Sequence, residues 1–439
     1  MSRLKVTKEN PETIKKFTRD LKNSVRELSE SLSELFELAS TNTIKGPSSK
    51  VTLDLFDQWC LNSGILPIRI GDGHRTADEL FVSSIYPIYQ TRTDRGHIDP
   101  KRLTRLYSSL ARDSGFDTED VENFVNEAMS AALDKDIRTE ERFQEHLYRY
   151  LYQLYHDEIR KFCVQTAHVI LARIILYRVL EDKEWKGRNL VPRRISGVAL
   201  EEIRKEASEV AIAALGRVPH IVYLKQVEDV RSFMETLIPR IYSLATYDWW
   251  VIPEGYKSDL KRKQDDILEE KEKFLDDCVK SALYYFDRYD FSQIDRDVWK
   301  DIYQEYLPYE ERQRLGGFYT PDELVELILD LVGYDPNDRD LCERTLLDPA
   351  CGSGTFLVEA SLRLIKHLNE PLQCHTSLKD RSEGEAARSI IEKVRDKIFG
   401  IDIHPFAQFL TIVNLSFQII DLFVIARRQF PNLKLEFNV

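Results

Sequence analysis

A chain of 439 residues, 43% apolar and 31% charged, is long enough for two or three domains, each with its own core. Its net charge of −12 runs against a broad phosphate-gripping surface, which normally carries a basic footprint. No run of about 18 apolar residues suggests a membrane span, and the N-terminus MSRLKVTKENPETIKKF has no signal-peptide hydrophobic region. Cys60, Cys163, Cys278, Cys342, Cys351 and Cys374 are scattered, with no CxxC pair and no His at ligand spacing. Free thiols in a reducing cytoplasm are therefore expected, and no metal site.

Residues 1–40 hold one amphipathic helix, predicted over 10–39. Ile14, Phe17, Leu21, Val25, Leu28, Leu32 and Leu35 recur every three or four positions. That stripe fits a packed core helix better than a coiled-coil strand waiting for a partner. The run TNTIKGPSSK (41–50) has linker composition. Residues 51–300 read as a mainly helical domain. Within it, 142–181 is rich in apolar residues at helical spacing and reads as two packed helices, with His168 as a core histidine rather than a ligand. The aromatic clusters around Trp249-Trp250 and at 282–291 could stack nucleic-acid bases, but core packing is the better reading. The short basic stretches Arg193-Arg194 and Lys261-Arg262-Lys263 read as solvated helix faces.

The pattern changes after Pro308, and residues 301–439 form a distinct region. GGFYTPDELVELILDLVGY (316–334) is a turn followed by a helix, with Thr320 as the expected N-cap and Pro321 at the first helical position. RTLLDPACGSGTFLVEASLRLIKHL (344–368) reads as a short strand, a glycine-rich turn and a long helix. A polar stretch, 370–394, leads into another helix. KIFGIDIHPFAQFLTIVNLSFQII (397–420) repeats strand, acidic turn and helix, with His404 opening the helix, and LKLEFNV (433–439) alternates like a strand. The fold class expected is an α-helical N-terminal region followed by α/β. The α/β part would be the first half of a doubly wound parallel sheet.

The string Asp348-Pro349-Ala350-Cys351-Gly352-Ser353-Gly354-Thr355 carries the most specific signal. Glycines straight after a strand let the backbone turn tightly and approach a ligand that a Cβ would exclude. Asp348, at the strand end, can accept hydrogen bonds from a cationic amine. Asp402 ends the next strand, where an acidic side chain can hold both ribose hydroxyls of an adenosine cofactor. It follows Asp348 at more than the about 20 residues usual in a dinucleotide fold, and the polar insertion accounts for much of the excess. In Gly317-Phe318-Tyr319-Thr320-Pro321, the hydroxyl and the helix N-terminus offer donors to a carboxylate, while the aromatics can wall a cofactor.

Taken together these motifs resemble the S-adenosylmethionine-dependent N6-adenine DNA methyltransferases of restriction–modification and phage-defence systems. GGFYTP is similar to that family's first cofactor motif, LLDPACGSGTFL to its glycine-rich motif, and FGIDIHPFAQFLTIVNL to its acidic one. The approach DRDVWKDIYQEYLPYEERQRLGGFYTP (295–321) resembles that of single-chain methylases. The resemblance is specific over about 295–439 and loose over 51–300. It implies a Rossmann-like fold and cofactor contacts from Phe318, Tyr319, Thr320, Asp348, Pro349, Ala350, Gly352, Gly354, Thr355, Asp402 and Ile403. Thr320 and Asp348 would face the methionine end, and Asp402 the ribose.

One departure limits what the resemblance implies. The family's catalytic motif, Asn or Asp followed by Pro-Pro and an aromatic, is missing: none of the 16 prolines is followed by another. The acceptors for the adenine amino group and the stacking ring for a flipped base are then missing as well, and no residue here is assigned to methyl transfer itself. A sheet ending at 439 would also leave an apolar strand edge unpaired. The expectation is a split or truncated enzyme that acts on double-stranded DNA, completed by a second polypeptide carrying the catalytic motif and a target-recognition domain. Three alternatives stand beside it: a non-catalytic interaction or sensing protein on the same scaffold, a modification subunit of a multi-subunit restriction enzyme, and a methyltransferase of protein or RNA.

Overall fold

The computed structural model describes residues 4–40, 55–56, 59–60, 140–184, 237–242, 245–247, 249–250, 274–275, 278, 282, 286, 288–294, 320–369 and 381–439. Two compact units, each discontinuous in sequence, divide the chain. One gathers Met1–Leu28, Gln165–Leu244 and Lys273–Val439; the other gathers Ser29–Val164 and Ala245–Glu272. The sequence-based partition is linear, with boundaries at 40, 50 and 300.

Helix α1 (Pro11–Ser40) carries the stripe expected of it: Ile14, Phe17, Leu21, Val25, Leu28, Leu32 and Leu35 are all buried. In the first unit Phe17 meets Tyr289 and Phe291 edge-on, with ring centroids 5.1 and 5.2 Å away. The two-residue strands β1 (Leu4–Lys5) and β2 (Tyr289–Asp290) pair in parallel beside this cluster, and the Tyr289 hydroxyl donates to Asp20 at 2.7 Å. In the second unit Phe36 packs edge-on against Phe56 and Trp249, Phe162 lies against Trp59, and Trp250 Nε1 donates to the Tyr247 carbonyl. The aromatic residues described here are core, so their faces are spent on one another rather than on bases. The basic stretches at 193–194 and 261–263 lie outside the described residues.

Helix α2 (Glu140–Glu184) is one continuous helix where two were expected. The physical reason is that neither Gly nor Pro occurs between 140 and 184, so nothing interrupts the backbone ladder. Its buried polar groups are tied down: Arg173 Nε donates to the Ile241 carbonyl at 2.8 Å, and Asp182 accepts the Phe291 N–H at 2.9 Å. His168 is buried against the ring of Phe406, as expected of a core histidine. By length and composition two helical stretches, Glu158–Leu180 and Pro405–Gln429, could cross a membrane. Their most apolar windows are 88% and 72% buried within the fold, the environment of core helices.

The C-terminal part is built from α3 (Asp322–Leu331), β3 (Leu346–Asp348), α4 (Thr355–Asn369), α5 (Glu383–Lys397), β4 (Ile398–Gly400) and α6 (Pro405–Gln429). Strands β3 and β4 pair in parallel, and the far side of β4 forms a single parallel bridge, Phe399 to Asn438. The strand expected at 433–439 is reduced to that bridge, supported by the Gly400 N–H on the Asn438 carbonyl at 2.8 Å. Ser382 and Glu385 close a reciprocal capping box at the start of α5. Cys60, Cys163, Cys278, Cys342 and Cys351 are buried and joined in no disulfide.

Burial holds the His168 imidazole neutral by lowering its pKa from the ordinary 6.5 to about 3. The unfolded chain takes up this proton near pH 6.5 and the folded chain does not. The contribution is therefore complete above about 6.5 and is lost progressively as pH falls toward about 3. Urea titrations across that window should show wild type losing stability faster on acidification than His168→Leu. Parallel pH profiles for the two would remove His168 as the cause.

Candidate functional site

The site begins where β3 and β4 end. Their register sets Leu346 opposite Ile398, Leu347 opposite Phe399 and Asp348 opposite Gly400. The pairing continues past both strands, with the Ile401 N–H on the Asp348 carbonyl at 2.9 Å and the Cys351 N–H on the Ile401 carbonyl at 3.0 Å. The turn after β3 is thereby fastened to the turn after β4.

The glycine-rich turn has φ of +55° at Gly352 and +85° at Gly354, a region that L side chains rarely adopt. A Cβ on Gly354 would also lie 2.8 Å from Thr411 Cγ2. Gly400 is constrained by space instead: a Cβ there would meet Leu357 Cδ1 at 2.6 Å and Cys351 Sγ at 3.1 Å. The turn therefore sits tightly on α4, β4 and α6.

Asp402 holds the arrangement through both carboxylate oxygens. One accepts the Gly352 N–H at 2.9 Å and the other the His404 N–H at 2.8 Å. A carboxylate has about four lone-pair sites, so two backbone donors leave acceptor capacity for a ligand. His404 caps α6, its Nδ1 accepting the Phe406 N–H at 3.2 Å, which confirms it as the start of that helix. Burial keeps its pKa below the ordinary value, and the Asp402 carboxylate opposes that shift. Asp348 accepts the Ala350 N–H at 3.1 Å. Burial raises the Asp348 pKa; the Ala350 N–H works against this and the nearby Asp402 charge adds to it. The same surroundings push the Cys351 thiol up to about 11, burial first, so it is no thiolate nucleophile near neutral pH.

Asp348, Pro349, Ala350, Gly352, Thr355, Asp402 and Ile403 thus come together on two adjoining turns, with Gly354 buried beneath. Pro349, Ala350 and Ile403 are exposed, and Asp348, Gly352 and Asp402 are part-exposed, so a ligand can reach this rim. Thr320 precedes α3. The N-cap of α3 falls on Pro321, whose ψ of 144° keeps it extended, and no side chain caps the helix start. Thr320 lies one residue too early for the capping role expected of it. Phe318 and Tyr319 lie outside the described residues.

Further side chains shape the site. Arg363 on α4 bonds Asp330 at 2.6 Å, Glu359 at 3.1 Å and the carbonyls of Tyr334 and Glu326, which docks α3 onto α4. On α6 the Thr411 hydroxyl donates to the Gly352 carbonyl at 2.8 Å, and Asn414 Nδ2 donates to the Ser353 carbonyl at 2.9 Å. The available signal was two polar residues three apart in the otherwise apolar run 409–415, one turn of the same face.

Comparison with known proteins finds likenesses confined to the C-terminal part of the chain. Residues 294–429 match the N-6 DNA Methylase family. The type I restriction enzyme MjaVII methylase subunit of Methanocaldococcus jannaschii is 38% identical over 102 residues, 23% of this chain and 16% of that protein. The type II methyltransferase M.VspI of a Vibrio species is 42% identical over 69 residues, 16% of each chain. The adenine-specific methyltransferase PglX of Streptomyces coelicolor is 30% identical over 112 residues, 24% of this chain and 8% of that protein. Each match thus spans less than a fifth of the relative's length. No solved structure matches. The resemblance to N6-adenine DNA methyltransferases of restriction–modification systems therefore holds, and the match implies a methyltransferase fold.

The glycine turn yields a stability test. Gly354→Ala adds a Cβ at φ +85° and within 2.8 Å of Thr411, so unfolding free energy should drop by about 1–3 kcal/mol. The urea midpoint measures this, and an unchanged midpoint would mean that the turn relaxes without cost.

Proposed function

We propose that this chain supplies the S-adenosylmethionine-binding part of a DNA adenine-N6 methyltransferase in a restriction–modification system. The observation that carries the reading is the glycine turn between β3 and α4, flanked by Asp348 and Asp402, within the residues that match the N-6 DNA methylase family. The residues fit such a ligand. Gly352 removes a side chain where a bound molecule would press on the turn, and Gly354 lets the turn pack on Thr411 beneath it. Two part-exposed carboxylates offer acceptors to an ammonium group and to ribose hydroxyls. The parallel β3–β4 pair, with the Asn438 bridge beyond β4, agrees with one half of a Rossmann-like doubly wound sheet.

When bound, S-adenosylmethionine supplies a methyl group activated by its sulfonium. Asp348 binds the cationic methionine end and Asp402 the ribose, while Pro349, Ala350, Thr355 and Ile403 border the cofactor. Phe318, Tyr319 and Thr320 close the methionine side. Methyl transfer to the adenine amino nitrogen also needs acceptors for its protons and a ring to hold the flipped base. This sequence carries no Pro-Pro motif to provide them, so they come from further protein, in our reading a second polypeptide that also recognises the double-stranded DNA target. The setting is cytoplasmic. A modification subunit of a multi-subunit restriction enzyme is a further alternative, since type I methylase subunits are among the similar proteins.

Calorimetric titration of S-adenosylmethionine into the full chain tests the cofactor reading. Binding is expected, and Asp402→Ala should abolish it, because that variant loses the ribose acceptor together with the Gly352 anchor. A folded, monodisperse wild-type chain that does not bind would refute the proposal. Affinity should also depend on pH. Protonating Asp348 removes the charge facing the ammonium group, so binding weakens as pH falls through its raised pKa, starting above the ordinary 3.8. Asp348→Asn should bind more weakly at neutral pH and lose this acid limb.

A further inference from the structure

Thr411 and Asn414 lie nine and twelve residues beyond Asp402 on α6, where both are buried and each gives a hydrogen bond to the glycine turn. Around them α6 is apolar: Ile412, Val413 and Leu415 are all buried core residues. A polar side chain in such a setting is costly unless it bonds, and here each meets a carbonyl that has no helix or strand partner of its own. The Thr411 Oγ1–Gly352 carbonyl distance is 2.8 Å and the Asn414 Nδ2–Ser353 carbonyl distance 2.9 Å. Consecutive peptide groups are therefore anchored by one face of one helix.

We infer that Thr411 and Asn414 are positioning residues that preset the glycine turn for its ligand; the ligand's identity rests on the function proposed above. A trans peptide is planar, with its C=O and N–H pointing in opposite directions, and no peptide bond among the described residues is cis. Drawing the Gly352 carbonyl toward α6 turns the Ser353 N–H to the opposite side of the turn. Drawing in the Ser353 carbonyl does the same for the Gly354 N–H, which is held in place by the Cys351 carbonyl at 2.8 Å. The Thr411 methyl fills the space where a Gly354 side chain would otherwise stand, so this residue fixes the turn by shape as well as by hydrogen bonding. Asp402 pulls on the Gly352 N–H from the other turn. The peptide conformation that a ligand meets is thus set before it arrives, which lowers the ordering cost of binding.

The test separates the hydroxyl from the methyl in the full chain. Thr411→Val keeps the shape and loses the donor, whereas Thr411→Ser keeps the donor and loses the methyl. Asn414→Leu removes the second anchor should the valine variant fail to fold. The readouts are residue-resolved amide exchange at 352–354, S-adenosylmethionine affinity and thermal midpoint. Thr411→Val should exchange about tenfold faster at the turn and bind about tenfold more weakly, the size of one lost hydrogen bond. Its thermal midpoint should stay close to that of Thr411→Ser, which should keep near-wild-type exchange and affinity. Wild-type exchange in a folded Thr411→Val variant would overturn the inference, as would a serine variant impaired as badly as the valine one. A wild-type chain that binds no S-adenosylmethionine, with exchange still faster only in Thr411→Val, would refute the cofactor reading and leave the anchoring of the turn intact.

Discussion

A turn between a strand and a helix leaves its peptide groups outside both ladders, and a buried peptide group without a partner costs about 1–3 kcal/mol. In this chain the debt is met by side chains from one later segment. Asp402 takes the Gly352 N–H, Thr411 the Gly352 carbonyl and Asn414 the Ser353 carbonyl. The glycine turn and the residues after β4 are therefore one object, although two helices, α4 and α5, separate them in sequence. The position of Asp348, the packing of α4 and the direction of α6 all follow from this fastening.

The electrostatic character of the rim is consistent with the ligand proposed for it. Burial raises the cost of ionising Asp348, and the nearby Asp402 charge adds to it. Such a pair repels phosphate and favours a cation, which relieves both carboxylates at once. The net charge of −12, awkward for a surface that grips DNA, is not awkward for a pocket that holds a positively charged cofactor.

Local pattern carried most of what could be read from the sequence. The α1 stripe, the strand–glycine turn–helix unit and the cap at His404 each depend on residues a few positions apart, and each stands in the structure as expected. Where the sequence misled, the deciding contact was distant or the local rule was ambiguous. Apolar richness alone could not separate one 45-residue helix from two, although the lack of Gly and Pro points to one. The Thr-Pro pair fits two capping registers, and the extended ψ of Pro321 selects the later one. The roles of Thr411, Asn414 and Arg363 were invisible because each depends on a partner that only the folded chain brings near.

Two glycines near the site are held by different constraints, and this shapes how the segment can change over evolutionary time. Gly400 is excluded from alanine by volume alone, chiefly by Leu357, so a shrinking substitution at 357 would open the way for a side chain at 400. Gly354 is barred by handedness as well as by Thr411, and trimming Thr411 cannot remove the first obstacle. Positions 357 and 400 are free to drift as a compensating couple, whereas position 354 has no second-site escape. A lineage could thus rewrite the floor beneath the turn step by step and still find the turn itself immovable.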